Sequence, residues 1–245
     1  MSIRLPQLPG AKLLRWYGRM AYGAARVTAG PALRRLYNVR LEGVEALPPH
    51  GAAIIAPNHL SLIDPFFIAL VVPRFTTFLG KAEYFDSWQT RIVMEMAGVI
   101  PVRREDSVQA QGSLNAGREV LESGNLLGIF PEGTRSPDGR LYKGKTGAAR
   151  MAVDTGVPIV PTGLIGTMHV MPKNAKLPGL GPRVTVRFGK PMRVPEEGKR
   201  DAQILRIFTD ELMQEIATLT GQEYRHRYAY TKRIGQPGPP PMLFA

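Results

Sequence analysis

At 245 residues the chain has room for one large domain, or one domain with an appendage, and ample length to bury a core. It contains no cysteine, which excludes disulfides, thiolate nucleophiles, sulfur-ligated zinc and any acyl group carried on an enzyme cysteine. A net charge of +12 implies an anionic partner, whether nucleic acid, a phospholipid surface or an anionic substrate, without choosing among them.

Part of that charge is an amino-terminal arm. Arg4, Lys12, Arg15, Arg19, Arg26, Arg34, Arg35 and Arg40 all precede the first acid, Glu42. Between them, residues 11–37 carry Leu13, Leu14, Trp16, Tyr17, Met20, Tyr22, Val27, Leu33 and Leu36, with Gly30-Pro31 as a break. This composition predicts a basic amphipathic helical hairpin over residues 1–37 lying in a membrane interface. Its aromatic rings would sit at the headgroup level, and each cation near an anionic surface is worth roughly 1 kcal/mol. A basic helix packed on the domain is the plainer alternative. No basic helix joins a zinc, homeodomain or RNA-binding pattern, so nucleic acid is not the expected partner. The start also lacks the apolar core and cleavage site of a signal peptide, which makes the cytoplasm the expected compartment.

From Asn38 onward short apolar runs alternate with helical periodicity, the pattern of an α/β domain with a mostly parallel central sheet flanked by helices. The predicted strands are Val39–Glu42, Ala53–Ala56, Thr76–Leu79, Val99–Val102, Leu126–Phe130, Ile159–Gly163 and Arg183–Phe188. The predicted helices are Pro65–Val72, Trp88–Ala97, Ser107–Glu122, Gly144–Asp154 and Asp201–Thr218. The domain is expected to span residues 38–232. Residues 233–245, with Pro237, Gly238, Pro239, Pro240 and Pro241, are expected to form an unpacked tail. The longest uncharged run, Thr155 to Pro172, is broken by glycines and prolines and reads as a strand and loop, so no transmembrane helix is expected.

Four segments carry chemistry. In Asn58-His59-Leu60-Ser61-Leu62-Ile63-Asp64-Pro65, a histidine precedes an aspartate by five positions. A carboxylate that holds one ring N–H leaves the other nitrogen free to take a proton, which activates a hydroxyl. On a continuous helix the two side chains would point about 140° apart, so the pair needs a loop. Asp64-Pro65 reads as an N-cap followed by a first-turn proline, and the bland alternative is that Asp64 only caps while His59 satisfies a loop carbonyl. Gly98 through Arg104 is a strand that delivers Arg103 and Arg104 at its carboxyl end. Phe130-Pro131-Glu132-Gly133-Thr134-Arg135-Ser136 also follows a strand, where ligands bind in open α/β sheets. There glycine permits close backbone approach, arginine offers a fork to phosphate, and Glu132 is placed to hold a substrate hydroxyl or to orient the arginine. A polar βα loop with an internal Glu–Arg pair is the alternative. In Val157 through Pro161, prolines flank a buried-looking strand near the sheet edge.

Gly139-Arg140-Leu141-Tyr142-Lys143-Gly144-Lys145-Thr146 matches the P-loop pattern in letters. It begins in a loop well after the strand end and has no later strand ending in aspartate for magnesium, so nucleotide binding is not expected. No nucleophile elbow, zinc-protease helix or dinucleotide fingerprint is present, and His50, His169 and His226 are scattered, so no metal is expected.

Taken together, the four segments resemble the glycerolipid acyltransferase family that includes 1-acylglycerol-3-phosphate acyltransferases, in all four blocks, in order, over about residues 50–190. The resemblance implies His59 as general base in an H-x4-D motif and Asp64 as its orienter. It implies Arg103, Glu132, Gly133, Thr134 and Arg135 as the acceptor-phosphate site, with Lys143 or Lys145 adding charge. It further implies a cofactor-free transfer of a fatty acyl group from acyl-CoA or acyl carrier protein to the sn-2 hydroxyl of lysophosphatidic acid, giving phosphatidic acid at the cytoplasmic face of an anionic membrane. The same chemistry on glycerol 3-phosphate or a lysoglycolipid, or a non-catalytic peripheral lipid-binding role, are the alternatives.

Overall fold

Ala53–Pro57 is buried at every position, and Ile159–Ile165 at all but the last. Such runs are satisfied only inside a sheet covered on both faces, and the chain builds one. The computed structural model describes residues 9–102, 107–172, 175, 177–199 and 201–229, so Arg103 and the expected tail at 233–245 lie outside the described residues. In chain order the elements are α1 (Pro9–Leu36), β1 (Arg40–Glu42), β2 (Ala53–Pro57), α2 (Asp64–Val71), β3 (Thr76–Lys81), α3 (Trp88–Met96), β4 (Val99–Val102), α4 (Ser107–Glu122), β5 (Leu126–Gly128), β6 (Leu141–Tyr142), α5 (Gly147–Thr155), β7 (Ile159–Ile165), α6 (Thr167–Val170), β8 (Thr185–Phe188), α7 (Ala202–Thr220) and β9 (Tyr224–Arg225).

Seven strands form the central sheet in the order β1-β8-β7-β2-β5-β3-β4. From β7 to β4 all neighbours are parallel, and β8 is antiparallel to β7. Alternate residues of each strand feed opposite layers. Ile54, Ala56, Leu127 and Ile159 meet Met151, Leu205, Leu212 and Met213 beneath α5 and α7. Ala53, Ile55, Leu126 and Val160 meet Ile68, Val71, Met94 and Ala97 beneath α2 and α3. The two-residue strands β6 and β9 make a separate ribbon that the sequence pattern does not announce. That ribbon shortens the next helix. With Lys143 N–H donating to Arg227 O and Lys145 N–H to Pro131 O, α5 begins at Gly147 and not at Gly144.

The amino-terminal segment departs from the expected hairpin. Pro9 to Leu36 is one helix that runs through Gly30-Pro31. Pro31 removes one amide donor, but Val27 and Pro31 are both exposed, so the freed carbonyl lies on the solvent side of the helix. Gly30 is a contact point and not a break, because a Cβ there would stand 2.6 Å from the Leu70 carbonyl oxygen of α2. Tyr22 is buried as well, its hydroxyl donating to Ala69 O at 2.5 Å and accepting from Thr76 N–H. The stripe Tyr22, Ala25, Gly30 and Tyr37 therefore faces the domain, while Met20, Val27 and Leu36 stay exposed. Among the described residues no helix is long and apolar enough to cross a membrane.

Gly30→Val should lever α1 from α2 and destabilise the fold by about 1–3 kcal/mol, the usual cost of forcing methyl groups into a closed contact. Chemical denaturation measures this, and unchanged stability contradicts the contact.

Candidate active site

The parallel pairing of β2 with β5, Ala53 opposite Leu126 through Ile55 opposite Gly128, makes the loops that leave these strands neighbours at one rim of the sheet. One loop carries His59 and the other Gly133 to Ser136. β4 ends at the same rim two strands beyond β5, about 10 Å away at normal strand spacing. Arg103 follows it but lies outside the described residues.

His59 and Asp64 meet. The ring Nδ1 is 2.8 Å from Asp64 Oδ2, with the Asp64 side chain fully buried and the His59 side chain 17% exposed. The same carboxylate oxygen accepts the Leu60 N–H at 2.7 Å and the Ser61 N–H at 2.8 Å. Asp64 thus pulls the preceding loop back onto itself. This differs from the expected cap, since α2 begins at Asp64 with Ile63 as its N-cap residue and no side-chain cap bond. The carboxylate instead satisfies amides that precede the helix, and it sits at the positive end of the helix dipole. On the other side the imidazole stacks on Phe130, with ring centroids 3.9 Å apart and planes 18° apart. Nδ1 is thereby engaged, and Nε2 makes no hydrogen bond among the described residues. Ser61 is fully buried and its hydroxyl donates to Met171 O, so it offers no nucleophile to the groove.

Glu132 is turned inward and is only 2% exposed. Oε1 accepts the His59 N–H at 2.9 Å and Oε2 the Tyr142 N–H at 3.0 Å. Neither oxygen contacts Arg135, so the expected arginine-orienting contact is absent. The carboxyl staples the His59 loop to the segment beyond the second loop. A Ser136 N–H bond to His59 O at 2.7 Å adds another stitch. Gly133 has φ 71°, and a Cβ there would lie 3.1 Å from Lys145 Cδ, Cε and Nζ, so the exposed Lys145 side chain folds over this glycine. Thr134 and Arg135 are half-buried, and their side chains have no hydrogen-bond or ion-pair partner among the described residues. The structure thus brings His59, Asp64, Gly133 and Lys145 to one rim, with Thr134 and Arg135 in the same loop. The P-loop letters form no phosphate loop, because Leu141-Tyr142 is a strand paired with β9. Among the described residues no three potential ligands converge on a metal position.

Two features were not visible in the sequence. Phe130 backs the imidazole, which its place at the strand end only hints at. Gln222, just past α7, reaches Asn58 and the Gly139 turn, and no local pattern marks it.

The acyltransferase family model matches residues 38–165. The chain is 35% identical over 153 residues to a chloroplastic 1-acyl-sn-glycerol-3-phosphate acyltransferase of Arabidopsis thaliana, covering 62% of this chain and 43% of that one. It is 32% identical over 190 residues to a 1-acyl-sn-glycerol-3-phosphate acyltransferase of Cocos nucifera, covering 75% and 60%. The matched stretch therefore spans about half the length of these curated relatives. The crystal structure of the 1-acyl-sn-glycerophosphate (LPA) acyltransferase PlsC from Thermotoga maritima superimposes with a TM-score of 0.61 at 25% identity, covering 83% of this chain and 88% of that one.

Burial pushes the Glu132 carboxyl up to about 7, with Asp64 and Asp138 adding to the rise and the two amide bonds opposing it. Its folded-state value is thus raised above the unfolded one, so the stability linked to its proton is present below about pH 4.5 and lost as pH rises through about 7. Unfolding free energy should fall between pH 5 and 8, and Glu132→Gln should remove a pH-dependent component of about 3 kcal/mol. Denaturation curves at several pH values test this, and an identical pH dependence in both proteins contradicts it.

Proposed function

Because the chain belongs to the acyltransferase family, we propose that it transfers a fatty acyl group from acyl-CoA or an acyl carrier protein thioester to the sn-2 hydroxyl of 1-acylglycerol 3-phosphate, producing phosphatidic acid. The observation that carries this reading is the 2.8 Å contact between His59 Nδ1 and buried Asp64, which leaves Nε2 unengaged beside a loop whose Arg135 side chain has no partner among the described residues. The names of the relatives support the acceptor.

In this reading His59 Nε2 takes the proton of the acceptor hydroxyl as its oxygen attacks the thioester carbonyl. Asp64 holds the imidazolium that forms. The tetrahedral intermediate collapses with loss of the thiolate, which recovers the proton from His59. A positioned base supplies about 10²–10⁴-fold, so fixing both substrates must supply more. Arg135 and Lys145 are the groups assigned to the acceptor phosphate, with Arg103 completing them, and Gly133 leaves room for the Lys145 side chain to lie against the loop. The oxyanion needs amide donors. Leu60 and Ser61 are committed to Asp64, and the Gly133 N–H is bound to Phe130 O. The amides of Thr134 and Arg135 have no partner among the described residues and are the donors we assign.

Residues 1–37 are the segment proposed to dock on an anionic membrane at its cytoplasmic face, through the exposed Met20, Val27 and Leu36 among the arm's cations. Residues 38–232 are the proposed catalytic domain.

His59→Ala should lower kcat by about 10²-fold or more with the fold intact by circular dichroism. Arg135→Ala should act mainly by raising KM for the lysophospholipid, by about tenfold, the effect of removing one charge-assisted bond. Kinetics with a labelled thioester and a panel of acceptors checks both. Full activity in His59→Ala ends the base assignment, and preference for another acceptor ends the assignment to 1-acylglycerol 3-phosphate.

A further inference from the structure

Asn58, the residue before His59, is fully buried, and its amide is completely used. Oδ1 accepts the Leu164 N–H at 2.6 Å, and Nδ2 donates to Leu164 O at 2.9 Å, which clamps Asn58 to β7. The remaining Nδ2–H donates to Gln222 Oε1 at 2.8 Å. Gln222 then passes the bond on, its Nε2 donating to Gly139 O at 2.6 Å. Gly139 belongs to a turn that holds its own shape, since Ser136 Oγ accepts the Gly139 N–H and donates to Arg140 O, and Asp138 Oδ1 accepts the Arg140 N–H. The neighbouring Glu223 pairs with Arg140 at 2.7 Å and holds the same turn from outside. Gln222 is thus a link in a chain that runs from β7 through Asn58 to the turn after Arg135.

We propose that Gln222 is a positioning residue for acyl transfer, its side-chain amide fixing the spacing between the loop that carries His59 and the turn that follows Arg135. The proposal rests on the transferase reading above. Gln222 lies beyond the stretch matched by the family model, which ends at residue 165. Two observations separate positioning from filling space. The side chain borders a cavity of about 210 Å³ lined in part by Leu60, Leu164, Met168 and His169, so hydrogen bonds and not close packing on every side fix where the amide points. Both ends of the amide are also used in the direction the neighbours require, an acceptor toward Asn58 and a donor toward Gly139, which no apolar side chain of equal length reproduces. Without it a buried Asn58 donor is orphaned and the Gly139 turn is free to shift, and reaction rates respond steeply to small misplacements of reacting groups.

The test is steady-state kinetics of the full chain with an acyl thioester and 1-acylglycerol 3-phosphate in mixed micelles, comparing Gln222→Met, Gln222→Ala and Gln222→Glu with wild type and His59→Ala. Gln222→Met keeps the length and loses both bonds, and it should lower kcat about tenfold or more, as should Gln222→Ala. Gln222→Glu keeps the acceptor for Asn58 and should lose less. KM for the thioester should stay within about twofold and the pH dependence of kcat should keep its shape, because the base itself is intact. In the double variant Asn58→Ala/Gln222→Met the losses should not add, since both break one chain of bonds. Wild-type kcat in Gln222→Met overturns the proposal, as does a loss that tracks melting temperature across the three variants. An inactive His59→Ala beside a fully active Gln222→Met overturns only the positioning role, whereas an inactive wild-type chain overturns both readings.

Discussion

A buried carboxylate at the head of a helix decides the shape of this site. Asp64 has no solvent exposure and gathers three donors on one oxygen, namely the His59 ring nitrogen and the Leu60 and Ser61 amides. Burying an ionised carboxylate costs several kcal/mol unless it is hydrogen-bonded and paired, so the loop is wound to supply those donors. Orientation of the imidazole is a by-product of that demand. With Nδ1 engaged and one ring face covered by Phe130, the nitrogen that remains is the one available to a substrate.

The second constraint comes from the sheet. Adjacent parallel strands β2 and β5 release their loops side by side, and the protein then stitches them with polar contacts. Glu132 accepts an amide from each side, Ser136 N–H reaches His59 O, and Asn58, Gln222 and Gly139 run along the opposite flank. An imidazole and an arginine-bearing loop held in this way suit the proposed transfer, in which positioning must contribute more than proton transfer. Arg135 of the second loop has no side-chain partner among the described residues, which leaves it open to an anionic ligand.

Local patterns made the strands, most helix limits and the His59–Asp64 spacing legible, because each depends on neighbours within a few positions. Features set by distant contacts were not. Gly30-Pro31 reads as a helix break until Leu70 is seen pressing against Gly30. Asp64-Pro65 reads as a forward cap, yet the carboxylate bonds backward. Glu132 reads as a groove residue because a linear motif does not say which way a side chain turns. Gln222 has no local signature, since its meaning depends on Asn58, 164 positions earlier. The β6–β9 ribbon is too short for any periodicity to reveal.

The proposed base requires an unprotonated His59 Nε2, with Asp64 holding the proton on Nδ1. Nitrogen-15 NMR of selectively histidine-labelled protein at neutral pH reads this directly. The Nδ1–H tautomer is expected for residue 59, and its loss in Asp64→Asn. An Nε2–H tautomer in the unmodified chain would contradict it.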